Sequence, residues 1–222
     1  MIKKIIILGT GGNCIDILDT INDINDTIKK KKHECIGFLD DSKNNWGKEF
    51  RGIKVLGPLE SAIEYPNSYF INGIGSSHNY AKKEFIISKT GLPLERFENI
   101  IHPTASVSKM AQIGYGNVIF QNVTITSNVK IGNHVIILPN SVISHDDIIG
   151  DYTCITGGVC ISGGVKIGKS CYLGTNCSIK ENLKIGSYSM IGMGSNVLQD
   201  VPDNSIFVGN PAKFLRKINQ CN

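Results

Sequence analysis

A chain of 222 residues with 41% hydrophobic content holds two small domains or one larger one, and a net charge of +4 gives it no strongly basic or acidic balance. The run Lys29–Lys32 has no interleaved aromatics and reads as the solvated end of a helix, so nucleic acid is not an expected partner. The longest apolar run, Ile5–Leu8, is too short to span a bilayer, no signal peptide is expected, and seven cysteines read as reduced residues of a cytoplasmic protein.

In chain order, Lys3–Leu8 predicts a buried parallel strand, and Gly9-Thr10-Gly11-Gly12-Asn13 a tight turn. An amphipathic helix follows over about 14–30, then a strand over Cys35–Leu39 that ends at Asp40-Asp41. Strand, glycine turn, helix, strand and acid open a Rossmann-like unit. The dinucleotide fingerprint G-x-G-x-x-G is incomplete, because Cys14 stands where the third glycine belongs, so NAD is not the expected ligand. A helix N-terminus ringed by glycines still suits a phosphate or sugar hydroxyl. Asp40 and Asp41 are placed to accept hydrogen bonds from ribose or a uracil-like base. Further α/β material is expected: Lys54–Leu56, a short helix over Leu59–Glu64, a strand over Tyr69–Ile74, a helix from Gly75-Ser76-Ser77-His78 through Ser88, and a handover strand over Arg96–Ile101.

From Ile101 to Val197 an aliphatic residue occupies every sixth position, seventeen in succession without insertion or deletion. A period of six is neither helical nor that of a simple strand, and it describes a hexapeptide solenoid. Four places after most of these stands a small or β-branched residue, such as Ala105, Val123, Ser141, Val159, Cys171 and Cys177. One large and one small inward residue per hexapeptide suit a narrow triangular prism. Three hexapeptides then make an eighteen-residue coil, and nearly six coils stack to about 27 Å at strand spacing. Glycines such as Gly114, Gly116, Gly132, Gly150, Gly168 and Gly186, with Asn133, are expected at corners that favour positive φ.

One stretch breaks the pattern: Ser144-His145-Asp146-Asp147. His145 and Asp146 take outward corner positions, where an imidazole oriented by a neighbouring carboxylate can act as a general base. His134 is the rival corner histidine. Eighteen residues on from His145 lies Gly163, within Ser162-Gly163-Gly164, whose backbone N–H groups could polarise a carbonyl and hold an oxyanion. Asp147 falls at a small inward position, costly for a carboxylate unless it is protonated or hydrogen-bonded.

These segments, with Phe38-Leu39-Asp40-Asp41, Gly163-Gly164-Val165-Lys166-Ile167-Gly168 and Val208-Gly209-Asn210-Pro211-Ala212-Lys213, resemble the bacterial nucleotide-linked amino-sugar N-acetyltransferases and the related sialic acid O-acetyltransferases among the hexapeptide-repeat acyltransferases. The resemblance spans nearly the whole chain. It implies a Rossmann-like nucleotide-sugar-binding domain over residues 1–100 and a left-handed parallel β-helix acyltransferase domain over 101–222. It further implies a homotrimer with acetyl-CoA between neighbouring helices. His145 and Asp146 would be catalytic, Cys154, Gly163, Gly164 and Thr175 would meet acetyl-CoA, and Gly11, Gly12, Asn13, Asp40, Asp41 and Ser77 the sugar nucleotide.

The expected reaction is acetyl transfer from acetyl-CoA to the amine of a UDP- or dTDP-linked 4-amino-4,6-dideoxy sugar, without a metal or a covalent acyl-enzyme. Lys213, Arg216 and Lys217 read as a solvated basic tail that could reach CoA phosphates. Competing readings are O-acetylation of a sialic-acid-like sugar, a carbonic-anhydrase-like zinc site, and a non-catalytic nucleotide-sugar-binding scaffold. The zinc site is disfavoured because His102, His134 and His145 are not spaced by whole coils.

Overall fold

The computed structural model describes residues 2–218. Its first part is a five-stranded sheet in the order β3-β4-β2-β1-β5, built from β1 (Lys3–Leu8), β2 (His33–Leu39), β3 (Glu49–Phe50), β4 (Ile53–Gly57) and β5 (Tyr69–Asn72). All neighbours are parallel except the β3–β4 hairpin. Ile5, Ile6, Ile7 and Leu8 of the interior strand β1 are fully buried, as a strand covered on both faces requires. The glycine turn leads into α1 (Gly12–Thr27), whose buried face of Cys14, Ile17, Leu18, Ile21 and Ile24 follows helical spacing. That face shares a core with Ile100, Val118, Phe120 and Ile136 of the solenoid, so α1 lies between the sheet and the β-helix.

The rest is a parallel β-helix. Each aliphatic of the six-residue series from Ile101 to Val197 is the second residue of a two-residue strand. The strands stack eighteen residues apart into three parallel walls. The first wall contains Ile119, Ile137, Ile155 and Leu173, the second Ile125, Ile143 and Ile161, and the third Ile131, Ile149 and Ile167. Large residues of the series and small residues four places on form one interior cluster, including Val123, Val129, Val159, Val165, Cys171 and Cys177. Two inward residues per hexapeptide leave little room, so truncating a buried isoleucine such as Ile161 to alanine should cost about 2–5 kcal/mol.

The structure departs from expectation at five places. Helix α1 ends at Thr27, followed by Lys29 at φ +49°, so the lysine run begins just beyond the helix end. The segment from Gly75 makes turns and a 3-10 turn before α2 (Lys83–Ser88), and the handover runs through a 3-10 turn at Leu94–Arg96 before the short strand Ile100–Ile101. Among the corner glycines named above only Gly116 has positive φ; the left-handed corners are held mostly by residues such as Asn122, Asn128, Asn140, Asp146, Asn176 and Asn182. Gly132, Gly150 and Gly168 serve a different need, since a Cβ at each would strike the adjacent coil. Lastly, Lys213–Lys217 is an exposed strand paired antiparallel to Ser205–Val208, with the Lys217 ammonium donating to the Asp203 carbonyl, instead of a free tail. Six cysteines carry free thiols; Cys221 lies outside the described residues.

Candidate active site

The corner between the second and third walls holds His145. Its Nδ1 lies 2.8 Å from the Asp146 carboxylate, and both side chains are exposed, at 65% and 56%. A carboxylate accepts only, so the pair fixes the proton on Nδ1 and leaves the Nε2 lone pair free to receive another. Asp146 stands at φ +63°, the left-handed geometry that turns the corner. Its other oxygen accepts from the Asn128 amide at 3.1 Å. Hydrogen bonds from His145 first and Asn128 second hold the Asp146 carboxyl below the usual carboxylate range. Asn128 went unnoticed in the sequence, although it stands one eighteen-residue coil before Asp146.

One coil further on, Gly163 lies directly beneath the imidazole. A Cβ there would sit 2.5 Å from His145 Cε1 and 2.6 Å from Nε2, so only glycine lets the ring occupy this place. The φ of Gly163 is not positive, which sets aside turn geometry as its reason; Gly164, at φ +74°, does need it. The Gly164 N–H donates to the His145 carbonyl at 2.9 Å and is already used. The Gly163 N–H has no acceptor among the described residues, leaving it available beside Nε2. Thr175 belongs to a different corner column, with Oγ1 donating to Thr156 Oγ1 at 3.3 Å.

A second feature lies on the far side of the β-helix. A cavity of about 750 Å³ opens between the glycine turn and the first wall, lined by Gly11, Gly12, Asn13, Asp40, Asp41 and Tyr172 among others. A Cβ at Gly11 or Gly12 would meet nothing, so the start of α1 is open, and the Gly12 and Asn13 N–H groups have no acceptor among the described residues. Cys14, which spoils the dinucleotide fingerprint, packs instead against Gly73 on the neighbouring strand end: the close approach is provided from the opposite side. Much of the acidic capacity is already engaged. Asp40 accepts from Thr10 Oγ1 at 2.6 Å and the Ser42 N–H at 2.8 Å. Asp41 accepts from the Leu59 N–H at 3.1 Å and Lys89 Nζ at 2.7 Å. Ser77 does not line the cavity; Ser76 and Asn79 do.

Two other expectations meet burial. Cys154 is 2% exposed and its sulfur sits 3.7 Å from Lys83 Nζ, beneath Gly75, so it faces the α/β part and is turned away from any external ligand. Fully buried Lys83 also donates to the His134 carbonyl at 2.5 Å, and burial lowers its pKa. His134 stacks on Tyr152 and meets the edge of Phe97, with burial and then Lys83 pushing its pKa down to about 3. It is a neutral packing residue and no rival to His145. His102 is tied to Asp23 at 2.9 Å and to Thr104, linking α1 to the solenoid. Among the described residues, no group of three or more His, Cys, Asp or Glu is arranged to hold a metal, and no helix is long and apolar enough to cross a membrane.

Residues 4–86 match the family model described as the PglD N-terminal domain. Over 123 residues the chain is 32% identical to a UDP-N-acetylbacillosamine N-acetyltransferase of Bacillus subtilis (strain 168). The chain resembles the nucleotide-sugar N-acetyltransferases. That alignment spans 53% of this chain and 51% of the relative, so the match covers about half the length of the curated protein. Solved structures extend the likeness in fold to the whole chain. PerB from Caulobacter crescentus, in complex with CoA and GDP-perosamine, superposes with a TM-score of 0.82 at 23% identity, covering 97% of this chain and 99% of that one. The acetyltransferase domain of PglB from Neisseria gonorrhoeae FA1090, in complex with acetyl coenzyme A, gives 0.81 at 23% identity over 97% and 100%. An α/β domain followed by a parallel β-helix is thus the architecture they share.

Proposed function

We propose that this chain is an acetyl-CoA-dependent N-acetyltransferase acting on the amine of a nucleotide-linked 4-amino-4,6-dideoxy sugar. In this reading residues 1–100 hold the sugar nucleotide and 101–222 carry the transfer. The observation that carries it is the His145–Asp146 pair lying over Gly163, with Nε2 free on one side and an unused N–H beside it. That arrangement suits a neutral amine attacking a thioester. The C–N bond forms as the acetyl carbonyl becomes an oxyanion held by the Gly163 N–H, and His145 takes the proton from the attacking nitrogen. Collapse breaks the C–S bond, and the proton passes from His145 to the departing thiolate of CoA. No step needs a cysteine nucleophile: Cys14, Cys171 and Cys177 are buried, and burial pushes each thiol up to about 12.

The sugar nucleotide is assigned to the cavity at the glycine turn, with its phosphates at the N–H groups of Gly12 and Asn13 and the positive end of α1. Asp40 and Asp41 act there mainly by shaping the turn. Gly164 keeps a corner role rather than a cofactor contact, and the nucleotide is assigned as UDP or dTDP. PerB is described with GDP-perosamine and the Bacillus relative is named for a UDP-linked sugar, so the base is the part of the substrate to test most widely.

The cavity faces the first wall, whereas His145 stands on the opposite edge of the prism, so one copy cannot bring its own bound sugar to its own base. This separation supports a homotrimer in which a neighbouring copy closes the corner groove and presents the sugar. The reaction is assigned to the cytoplasm, where acetyl-CoA is available. Thiol release from acetyl-CoA with a panel of UDP-, dTDP- and GDP-linked 4-amino sugars tests the reading. Turnover on an amino sugar but not on the matching 4-hydroxy sugar is expected. Turnover on hydroxyl acceptors alone would make it an O-acetyltransferase, and none on either would leave a binding scaffold.

A further inference from the structure

Asp147 follows the catalytic pair and is fully buried in the solenoid interior, at a position that mostly carries valine, alanine, serine or cysteine and, in a few coils, a larger polar side chain such as Asn117 or Thr153. Its surroundings explain what it does. Polar side chains at this inward hexapeptide position make two recurrent hydrogen bonds to later coils. Asn117 accepts from the backbone N–H eighteen residues on, at Val135, and donates to the carbonyl fifteen residues on, at Gly132. Asn99 does the same with the Asn117 N–H and the Gly114 carbonyl. Thr153 does so with the Cys171 N–H and the Gly168 carbonyl. Ser141 and Cys171 each make the donating bond, to Thr156 and Gly186.

Asp147 makes the first bond, its Oδ1 accepting from the Val165 N–H at 2.8 Å. Its Oδ2 is buried without a donor. The carbonyl fifteen residues on is that of Ser162, which accepts no hydrogen bond from the described residues. An ionised carboxylate cannot serve that carbonyl; a carboxylic acid can, with the proton on Oδ2.

Resting on the acyltransfer reading above, we infer that Asp147 is a neutral acid that donates to the Ser162 carbonyl and thereby positions the Ser162–Gly163 peptide for catalysis. In a trans peptide the C=O and N–H point in opposite directions. Anchoring the Ser162 oxygen inward therefore aims the Gly163 hydrogen outward, beside His145. Donation to the oxygen also polarises that peptide and strengthens its N–H as a donor. Asp147 is thus a positioning residue, coupling the solenoid interior to the oxyanion donor.

The electrostatic setting agrees. Burial raises the Asp147 carboxyl to about 7, opposed by the Val165 and Ser144 N–H groups and by His145, and reinforced by Asp146. Val129 and Val165 occupy the coil positions below and above it, and the neighbouring strands carry Lys130 and Lys166 with exposed side chains. The titratable members of the interior cluster, Cys171 and Cys177, are pushed up to about 12 by burial. No cation inside the prism favours an ionised Asp147 among the described residues.

The test compares wild type, Asp147→Asn and Asp147→Val by thiol release across pH 6–9, with an infrared titration of the wild-type carboxyl referenced to Asp147→Asn. Asparagine supplies the same donor and acceptor at every pH, as Asn117 does; valine is already accommodated at Val129 and Val165. The expected result is a protonated-acid band at pH 6 that disappears towards pH 9, and wild-type kcat that declines over the same range. Asp147→Asn should stay within about threefold of wild type at pH 6 and lack that decline, and Asp147→Val should lose about tenfold or more in kcat, within the range for a weakened oxyanion donor. An ionised carboxyl at pH 6, a valine variant as active as the asparagine one, or an unchanged pH profile in Asp147→Asn would each overturn the inference. Failure of the functional reading is separate: it shows as no thiol release with any acceptor, or as undiminished release in His145→Ala, and the infrared titration still decides where the Asp147 proton resides.

Discussion

The two halves of this molecule treat polar residues in opposite ways. In the β-helix the inward positions repeat every six residues, and one run of departures, His145, Asp146 and Asp147, falls with Gly163 at a single corner in consecutive coils. In the α/β part no such template exists, and the conspicuous polar residues, Asp40 and Asp41, spend most of their hydrogen-bonding capacity on Thr10, Ser42, Leu59 and Lys89. A periodic scaffold makes departures from the period informative. An aperiodic domain consumes its polar groups in building turns, and its binding capacity lies in what remains unoccupied, the N–H groups at the start of α1.

The largest effect that would break this comparison is at the corner. His145→Ala should lower kcat by about 10²–10⁴-fold, the usual contribution of a positioned general base, with little change in KM for either substrate. The residue is exposed, so thermal unfolding should be nearly unchanged. A variant that kept full kcat would move the chemistry away from this corner altogether.

Gly163→Ala ranks next. The backbone there tolerates alanine, but the added Cβ displaces the imidazole. Because the ring is exposed it can swing away, so folding should survive while kcat falls by roughly ten- to a hundredfold, less than complete loss of the donor would cost. Gly164→Ala is the sharper control on stability: its φ of +74° makes any side chain strained, so thermal stability should fall, by about 1 kcal/mol or more.

On the other side of the molecule, Gly12→Asp sets the helix end against the nucleotide. A carboxylate in the first turn of α1 favours the helix, and a Cβ at Gly12 would meet nothing, so the fold should hold. The same charge repels phosphate, and KM for the nucleotide sugar should rise by about tenfold or more while KM for acetyl-CoA stays constant. A parallel rise in both constants would mean that the two ligands share this cavity.

What could be read in the sequence follows the same division. The eighteen-residue coil made the His145–Gly163 juxtaposition visible by counting, and the same count leads from Asp146 back to Asn128 and from Asp147 on to Val165. The α/β part was legible in its elements but less so in its contacts. Cys154 reads as an outward acetyl-CoA contact, yet the solenoid's first wall is covered by another domain, and Lys83 and Gly75 bury it. Ser77 stands in a turn whose direction is set by tertiary packing, and the cavity took its neighbours Ser76 and Asn79 instead. The cluster of Lys83, Phe97, His134 and Tyr152 joins residues of the two parts, so no periodic signal within either could show it.

The smallest effect worth measuring lies one coil below the base. Asn128 donates to Asp146 at 3.1 Å in an exposed setting, where solvent screens the interaction, so Asn128→Ala should reduce kcat only by about two- to fivefold. Its sign in pH is more telling than its size. Hydrogen bonds hold the Asp146 carboxyl below its ordinary range, so its negative charge persists as pH falls and is lost only through that lowered value. Removing Asn128 raises that value, and the orientation of the His145 Nδ1–H should therefore begin to fail at higher pH than in wild type, shifting the acid limb of kcat upward. Asn122, which donates to Asn140 at 3.3 Å across the same eighteen-residue interval on a neighbouring corner, provides the control. If Asn122→Ala produced the same acid shift, the effect would belong to coil stacking in general, and the support of Asp146 by Asn128 would have no special part in the site.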